Sequence, residues 1–351
     1  MNNVKPVQTT SLWHGQTRDE LERKIEVRQE SRRSSVGNEA AVAVSEMQEV
    51  AMQDTMEDMS LVLGNRLKGK SRQPFGGDDE KIQRDEMLSS LAEQVAGEKL
   101  DSMLAGLQHS GMQDDLLNLY RQGEMNFSDA ALLLAAGASA LPLGSKRRKQ
   151  LSSQLDELLA EQEDWALLMF ADLELGSVNQ NALQAMQQIV RRHHKPDQEE
   201  NPEGLWQWFN KIKDWTDRSR RIRVLLRTFA FELSSAQTNE VTARLVTTLL
   251  DLKKLLVFLG LEDTARRLAN VALIPQDEAL SEVLLLIEQR WMYTEWLGNR
   301  LQQLKIQEGK QVLYLIRLNE IVKFLPDICF LDVQQRKQIS ETIEEYIYQL
   351  S

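Results

Sequence analysis

The stretch KDWTDRSRRIRVLLRTFAFEL, residues 213–233, combines a helical pattern with a dense group of arginines. On a helix with 3.6 residues per turn, one face collects only apolar side chains: Ile222, Leu225, Leu226, Phe229 and Leu233. The arginines Arg220, Arg223 and Arg227 fall together on nearly the opposite face. This pattern predicts a helix that buries its apolar face and carries a cationic face.

Helical periodicity continues through most of the chain from Asp79 to the C-terminus, without the period-2 alternation of strands. Ser128 is predicted to cap the helix that contains AALLLAA (130–136), and Asp332 to cap the last helix. The apolar stripe predicted for the last helix is Ile339, Ile343, Tyr346 and Leu350. We therefore predict an all-α protein with helices of about 10–20 residues.

The segment QDEALSEVLLLIEQRW (276–291) is a further strong helix. Pro275 stands just before it, and we predict that this proline occupies the first helical position, where its missing N–H costs nothing. The predicted inner face of the helix is Leu280, Val283, Leu284, Ile287 and Trp291.

The composition excludes several classes of protein. The single cysteine, Cys329, cannot form an internal disulfide or complete a Cys₂His₂ zinc site. The N-terminus lacks the apolar region of a secretory signal peptide, and the longest uncharged stretch, 130–145, is shorter than the ~20 apolar residues of a membrane helix. A net charge of -11 disfavours nucleic acid as the main partner. We therefore expect a soluble protein of a reducing cytoplasm.

The N-terminal part divides into two segments. Residues 1–40 are polar, with Trp13 as the only aromatic residue before Phe75, and we expect them to be disordered. Residues 41–78 contain a methionine-rich helical stripe followed by a basic linker; the stripe is Met52, Met56, Met59 and Leu63. Because methionine adapts to varied surfaces, we interpret the stripe as a binding site for a partner or chaperone. The alternative is that it docks on the chain's own core.

The stretch LVLGNRLKGKS (61–71) matches the phosphate-binding loop G-x-x-x-x-G-K-[ST] letter for letter. A functional loop must follow a strand and open a helix at about Lys70, so that the helix N-terminus faces the phosphate. Here the preceding stripe is helical, and Pro74, Gly76 and Gly77 end any helix almost at once. We therefore interpret the match as a helix end and a linker, and we reject nucleotide hydrolysis.

The residues that carry most enzyme chemistry form no constellation in this sequence. His193 and His194 are adjacent, so on a helix they point about 100° apart and cannot share a metal; we interpret RRHHKPD as a solvated basic helix end. Cys329 lies in the apolar run ICFL, which predicts a small buried side chain. No catalytic, metal or cofactor site is predicted, and we do not expect an enzyme.

Two features remain open between a structural and a binding role. The three arginines either contact a phosphate or an acidic protein surface, or form a solvated face paired with nearby carboxylates. The tryptophans in LWQWF (205–209) and RWMYTEWL (290–297), with Trp215, are either core residues or, where exposed, anchors for a partner.

Four stretches, in their order and spacing, carry a resemblance to a known family. They are MEDMSLVLGNRLKGKSR (56–72), LWQWFNKIKDWTDRSRRIRVLLRTFAFELS (205–234), LLLIEQRWMYTEWL (284–297) and FLPDICFLDVQQRKQI (324–339). Together they resemble the gatekeeper proteins of bacterial type III secretion systems, the family of YopN–TyeA, InvE, MxiC and SepL with its HrpJ-like domain, and in particular its SepL/SsaL branch. The last stretch is similar to the family's L-P-x-x-x-F…R motif.

The resemblance implies a fold of three consecutive four-helix bundles in an elongated arrangement after a disordered N-terminal region. We assign residues 79–165 and 166–260 to two HrpJ-like bundles and residues 261–351 to a TyeA-like bundle. The candidate partner-binding residues in the C-terminal part are then Trp291, Trp296, Pro326 and Phe330, beside the methionine stripe and the three arginines.

The implied function is control of the order of export, with translocators promoted and effectors restrained until host contact. The implied partners are small secretion partner proteins or chaperones and the export gate of the injectisome, with translocator or effector complexes as further candidates. No nucleic acid and no membrane insertion is implied. The resemblance places the protein in the bacterial cytoplasm, at the injectisome base on the inner membrane, and leaves its own export open. The alternatives are an α-helical interaction scaffold or a nucleic-acid-binding regulator unrelated to secretion.

Overall fold

The computed structural model describes residues 84–92, 116–176, 179–193, 203–235 and 243–351. Regular structure in these ranges is helical throughout, so the predicted all-α class is confirmed. Within the same ranges no helix combines the length and the apolar character needed to cross a bilayer. The predictions for residues 1–40 and 41–78, including the methionine stripe and the rejected phosphate loop, fall outside the described residues.

The first helices enclose a core of alanine and leucine. Helix α1 (84–92) and helix α2 (Leu116–Arg121) precede α3 (Phe127–Ser139), which packs along α4 (Lys146–Ala160). Nearly all side chains of α3 are buried, as expected of a helix that is apolar on every side. Small side chains let α4 approach closely: a Cβ on Gly137 would lie 3.3 Å from Leu151 Cδ1.

The cap of α3 differs from the prediction. The helix begins at Phe127, and Asn126 Oδ1 accepts the hydrogen bond from the Asp129 N–H at 2.7 Å. Ser128 is already the second helical residue, and its hydroxyl donates to the same Asn126 oxygen at 3.0 Å. The predicted cap, Ser128, is therefore wrong, because its side chain orients the capping residue and satisfies no free backbone N–H itself.

Helix α8 (Arg218–Ser235) contacts three other helices in the middle part of the chain. It packs against α5 (Trp165–Leu175), α6 (Gln180–His193) and α9 (Ala243–Leu259), while α7 (Leu205–Ile212) packs on α9. All five residues of the predicted apolar face are buried, which confirms that prediction. Val224, Thr228 and Phe231 are buried as well, so the face is wider than predicted.

The C-terminal helices pack around two long ones. They are α10 (Glu262–Ala272), α11 (Gln276–Glu288), α12 (Thr294–Gln303), α13 (Glu308–Phe324) and α14 (Val333–Leu350). Helix α13 contacts α10 and α14, and α14 also contacts α11 and α12. A 3₁₀ turn, Asp327–Cys329, connects α13 to α14.

The structure confirms one predicted helix cap in this region and corrects three other predictions, one about a helix start and two about buried faces. Asp332 caps α14 as predicted, since its Oδ1 accepts from the Gln335 N–H at 2.7 Å. Pro275 is the N-cap residue and not the first helical one. Trp291 lies beyond the end of α11 and is exposed, because the helix stops at Glu288. Leu350, predicted as part of the apolar stripe, is also exposed and is the last residue of α14.

Two helix contacts cross the predicted bundle boundaries. Helix α3 packs against α5, and α7 packs against α11. At the second contact Glu288 Oε1 accepts from the Trp206 N–H at 3.1 Å, so a carboxylate of α11 caps the N-terminus of α7. The division into three bundles stays a prediction.

Candidate functional site

Two of the three arginines of the predicted cationic face contact α5. Arg227 Nη1 is 2.7 Å from Glu174 Oε1, and Arg220 donates to the backbone oxygen of the same residue. Arg223 is half-buried. Two of the three guanidinium groups thus have contacts within the chain, as the alternative of local pairing expects. A role of these arginines in partner binding stays a prediction.

The end of α6 is more closely packed than the sequence predicts. The His193 ring stacks on Trp208 with centroids 5.9 Å apart and meets the Phe229 ring edge-on at 5.3 Å. The predicted solvated helix end is therefore wrong for His193, because α7 and α8 supply aromatic rings that cover it. Across the described ranges, no group of His, Cys, Asp and Glu could hold a metal ion.

A cavity of about 30 Å³ lies beside His193 and is lined by Trp208, Thr248 and Asp251 among others. That volume suits about one water molecule and no organic ligand. Burial raises the pKa of Asp251 to about 6, and Lys254, with Nζ 3.6 Å from Asp251 Oδ1, acts against this shift.

Large apolar side chains are exposed at one place where two segments of the C-terminal part meet. One segment is the loop between α11 and α12, with Trp291 68% and Tyr293 65% exposed. The other is the turn before α14 together with its first residue, with Leu331 69% and Val333 65% exposed. We call these four side chains the aromatic patch.

Gln335, a buried residue of α14, holds the two segments of the aromatic patch together. Its Nε2 donates to the Ile287 oxygen at 2.9 Å and to the Gln289 oxygen at 2.8 Å. Its Oε1 accepts from the Leu331 N–H at 2.7 Å. One side chain thereby fixes the loop before Trp291 and the turn before α14, so the patch is presented on a rigid support.

The other candidate residues of the C-terminal part are less accessible. Trp296 and Pro326 are half-buried. Phe330 is buried in the core beneath Arg336, whose guanidinium carbon lies 5.8 Å from the ring centroid. A buried ring shapes the turn before α14 and offers no surface to a partner in this conformation, so the binding role of Phe330 stays a prediction that needs the turn to open.

Cys329 is buried, as predicted. Burial raises the pKa of its thiol to about 12. Because the thiolate is the nucleophilic form, this thiol is unreactive near neutral pH.

The sequence interpretation missed Tyr293, Leu331 and Val333 as members of the patch. A signal existed for Val333: it falls on the same face of α14 as Lys337 and Glu341, four and eight residues further on, which are both exposed. An apolar residue on an otherwise charged face indicates a surface contact. No periodic signal distinguishes Leu331 or Tyr293, because both lie outside regular helix.

Comparison with known proteins relates this arrangement to secretion. The model of the HrpJ-like domain matches residues 51–216. The chain is 33% identical over 350 residues to the secretion system apparatus protein SsaL of Salmonella typhimurium (strain LT2), over 98% of this chain and 94% of SsaL. The solved structure of SepL matches with a TM-score of 0.60 and 26% identity, over 77% of this chain and 98% of SepL. Because the identity extends over nearly the whole length of both sequences, the chain belongs to the gatekeeper family of bacterial type III secretion, in its SepL/SsaL branch.

Proposed function

We propose that this protein controls the order of export through a type III secretion system, promoting translocators and restraining effectors until host contact. It acts by binding other proteins, namely the export gate of the injectisome and small partner proteins or chaperones. Membership of a family of secretion regulators supports the proposal. No catalytic step enters it.

The observation that carries the proposal is the aromatic patch. Four large apolar side chains, each about two-thirds exposed, lie on two segments that Gln335 joins. The hydrogen bonds of Gln335 bring the two segments together, and tryptophan and tyrosine are among the residues enriched in binding hot spots. A support that is already rigid lowers the entropy lost on binding. We therefore assign the patch to the docking of a protein partner.

Two further contacts complete the proposal. The methionine stripe, Met52, Met56, Met59 and Leu63, is assigned to a small partner or chaperone. The arginine face of α8 is assigned to an acidic surface of the gate or of a partner, with Arg223 as its least engaged member. The protein works in the bacterial cytoplasm at the base of the injectisome, with a bundle arrangement in three parts as its scaffold.

The test begins with deletion of the gene and a profile of the secreted proteins. Early excess of effectors with loss of translocators supports the proposal; an unchanged profile in a strain with an active injectisome overturns it. The deletion strain is then complemented with Trp291→Ala combined with Tyr293→Ala. A matched control, Leu313→Ala with Tyr348→Ala, removes comparable exposed apolar surface elsewhere.

The patch variant is expected to reproduce the deletion profile, and the control variant to restore the normal one. Co-purification of the injectisome proteins with each tagged variant identifies the partner that is lost. Equal behaviour of the two variants would remove the aromatic patch from the mechanism and leave the methionine stripe as the main candidate. For that stripe, Met52→Asp with Met56→Asp is expected to abolish partner pull-down.

A further inference from the structure

The first turn of α4 is a run of four cations that the secretion proposal does not use. The run is Lys146, Arg147, Arg148 and Lys149, and it follows a loop in which Leu143 is 70% exposed. Lys146, Arg147 and Lys149 are exposed, whereas Arg148 is half-buried and its Nη1 donates to the Leu141 oxygen at 3.0 Å. We call Leu143 and the four cations the basic tip.

This run does not serve the helix that contains it. A helix N-terminus carries a partial positive charge, and cations there destabilise the helix, while Asp and Glu stabilise it. The first turn of α4 contains no acidic residue, and only the Ser145 cap, with Oγ 3.2 Å from the Arg148 N–H, supports it. Within the described part of the chain Lys146, Arg147 and Lys149 form no ion pair. The arrangement is unfavourable for stability alone, which points to an anionic ligand outside the chain.

The geometry suits a flat surface. Side chains on a helix tilt toward its N-terminus, so the exposed Lys146, Arg147 and Lys149 can all reach a flat surface that meets the end of α4. Just before them the chain turns at Gly144, where φ is +84°, and the Leu143 side chain that precedes this glycine is exposed. A binding surface for a protein usually has a core of several apolar side chains with a mixed polar rim. The basic tip has one leucine and charges of a single sign.

We propose that the basic tip binds the surface of an anionic lipid bilayer, with the cations among the phosphate groups and Leu143 at the acyl boundary. Cationic segments with an apolar residue bind such surfaces reversibly. The charge of the whole chain supports this assignment by contrast. Its net charge of -11 repels an anionic leaflet, so a local excess of cations is needed for approach and also orients the molecule. The inference is independent of the proposed secretion function.

The experiment measures sedimentation of the purified full chain with vesicles of phosphatidylglycerol and phosphatidylethanolamine, and with phosphatidylcholine vesicles as the neutral surface. The tip variant is Lys146→Gln, Arg147→Gln and Lys149→Gln. The matched control, Arg266→Gln, Arg267→Gln and Lys310→Gln, changes the net charge by the same amount on α10 and α13. All other lysines and arginines of the chain are unchanged in both variants. Circular dichroism verifies that both are folded.

Each cation near an anionic leaflet contributes roughly a factor of five to the partition coefficient. The tip variant is therefore expected to bind anionic vesicles on the order of a hundredfold more weakly than the control variant. Leu143→Ser is expected to weaken binding further without changing its dependence on salt, whereas the cationic contribution falls as salt rises. Equal binding of tip and control variants, or no preference of the wild type for anionic vesicles, overturns the proposal. Loss of binding to the export gate in the tip variant, with vesicle binding intact, would assign the tip to an acidic protein instead.

Discussion

Gln335→Ala tests whether one buried side chain supports the aromatic patch. The substitution removes the partners of three backbone groups: the oxygens of Ile287 and Gln289 and the N–H of Leu331. A buried polar group that loses its partner costs about 1–3 kcal/mol. The contact with Ile287 is fully buried and the other two are partly buried, so we take the low end for each and expect a loss of about 3 kcal/mol.

The assay is thermal unfolding together with hydrogen exchange of the amides of residues 289–293 and 331–335. For a chain of 351 residues, a loss of about 3 kcal/mol lowers the melting temperature by roughly 4–6 °C. Hydrogen exchange should accelerate most at the amides of these two segments. Gln335→Met, which keeps most of the volume but not the hydrogen bonds, should lose as much stability as Gln335→Ala. Restored stability in the Met variant would show that packing, and not hydrogen bonding, holds the segments.

Gln338→Ala is the matched control on the same helix. Its Nε2 makes one hydrogen bond, to the Met292 oxygen at 3.1 Å, and its Oε1 is buried without a partner. The Thr342 hydroxyl also reaches the Met292 oxygen, at 3.5 Å. We expect a loss of about 1 kcal/mol or less for this variant. Similar losses for Gln335→Ala and Gln338→Ala would refute the reasoning.

Three further predictions follow from other contacts. Asp251→Asn should stabilise the protein increasingly as pH rises from about 4 to about 7. The folded-state pKa of Asp251, about 6, exceeds the ordinary value of 3.8, so the folded wild type loses stability as pH rises through this range. Melting curves at several pH values measure the difference between the variant and the wild type, and they should show no such trend if Asp251 is solvated. Gly204→Ala should lower the free energy of unfolding by about 1–2 kcal/mol, because the new Cβ would lie 2.5 Å from Glu288 Oε1 and would displace the carboxylate that caps α7. In a Glu288→Ala background this loss of stability should largely vanish. Additive losses in the double variant would contradict the coupling of the two residues. Asn126→Ala should lower the free energy of unfolding by about 1 kcal/mol, because it removes the N-cap of α3, and Ser128→Ala should lower it less. Urea unfolding of both variants measures the difference. A larger loss for Ser128→Ala would show that Ser128 is the cap.

Local patterns in the sequence were sufficient for the helices themselves. The 3.6-residue period of 222–233 predicts one apolar face, and that face is buried because burial removes its side chains from water. The cap at Asp332 and the buried Cys329 likewise follow from near neighbours in the chain. The family resemblance, carried by four short stretches, added the functional class.

Contacts between distant residues decided the rest. Periodicity assigns a face to a helix but does not say which helix covers it, so Glu174, which engages two of the three arginines, was not foreseeable from α8 alone. Because α11 ends at Glu288, Trp291 is exposed and not buried as the periodicity predicted. Gln335, 44 positions later in the chain, donates a hydrogen bond to the loop that contains Trp291. Hydrogen bonds across such separations depend on the packed arrangement of whole helices, which sequence periodicity does not encode.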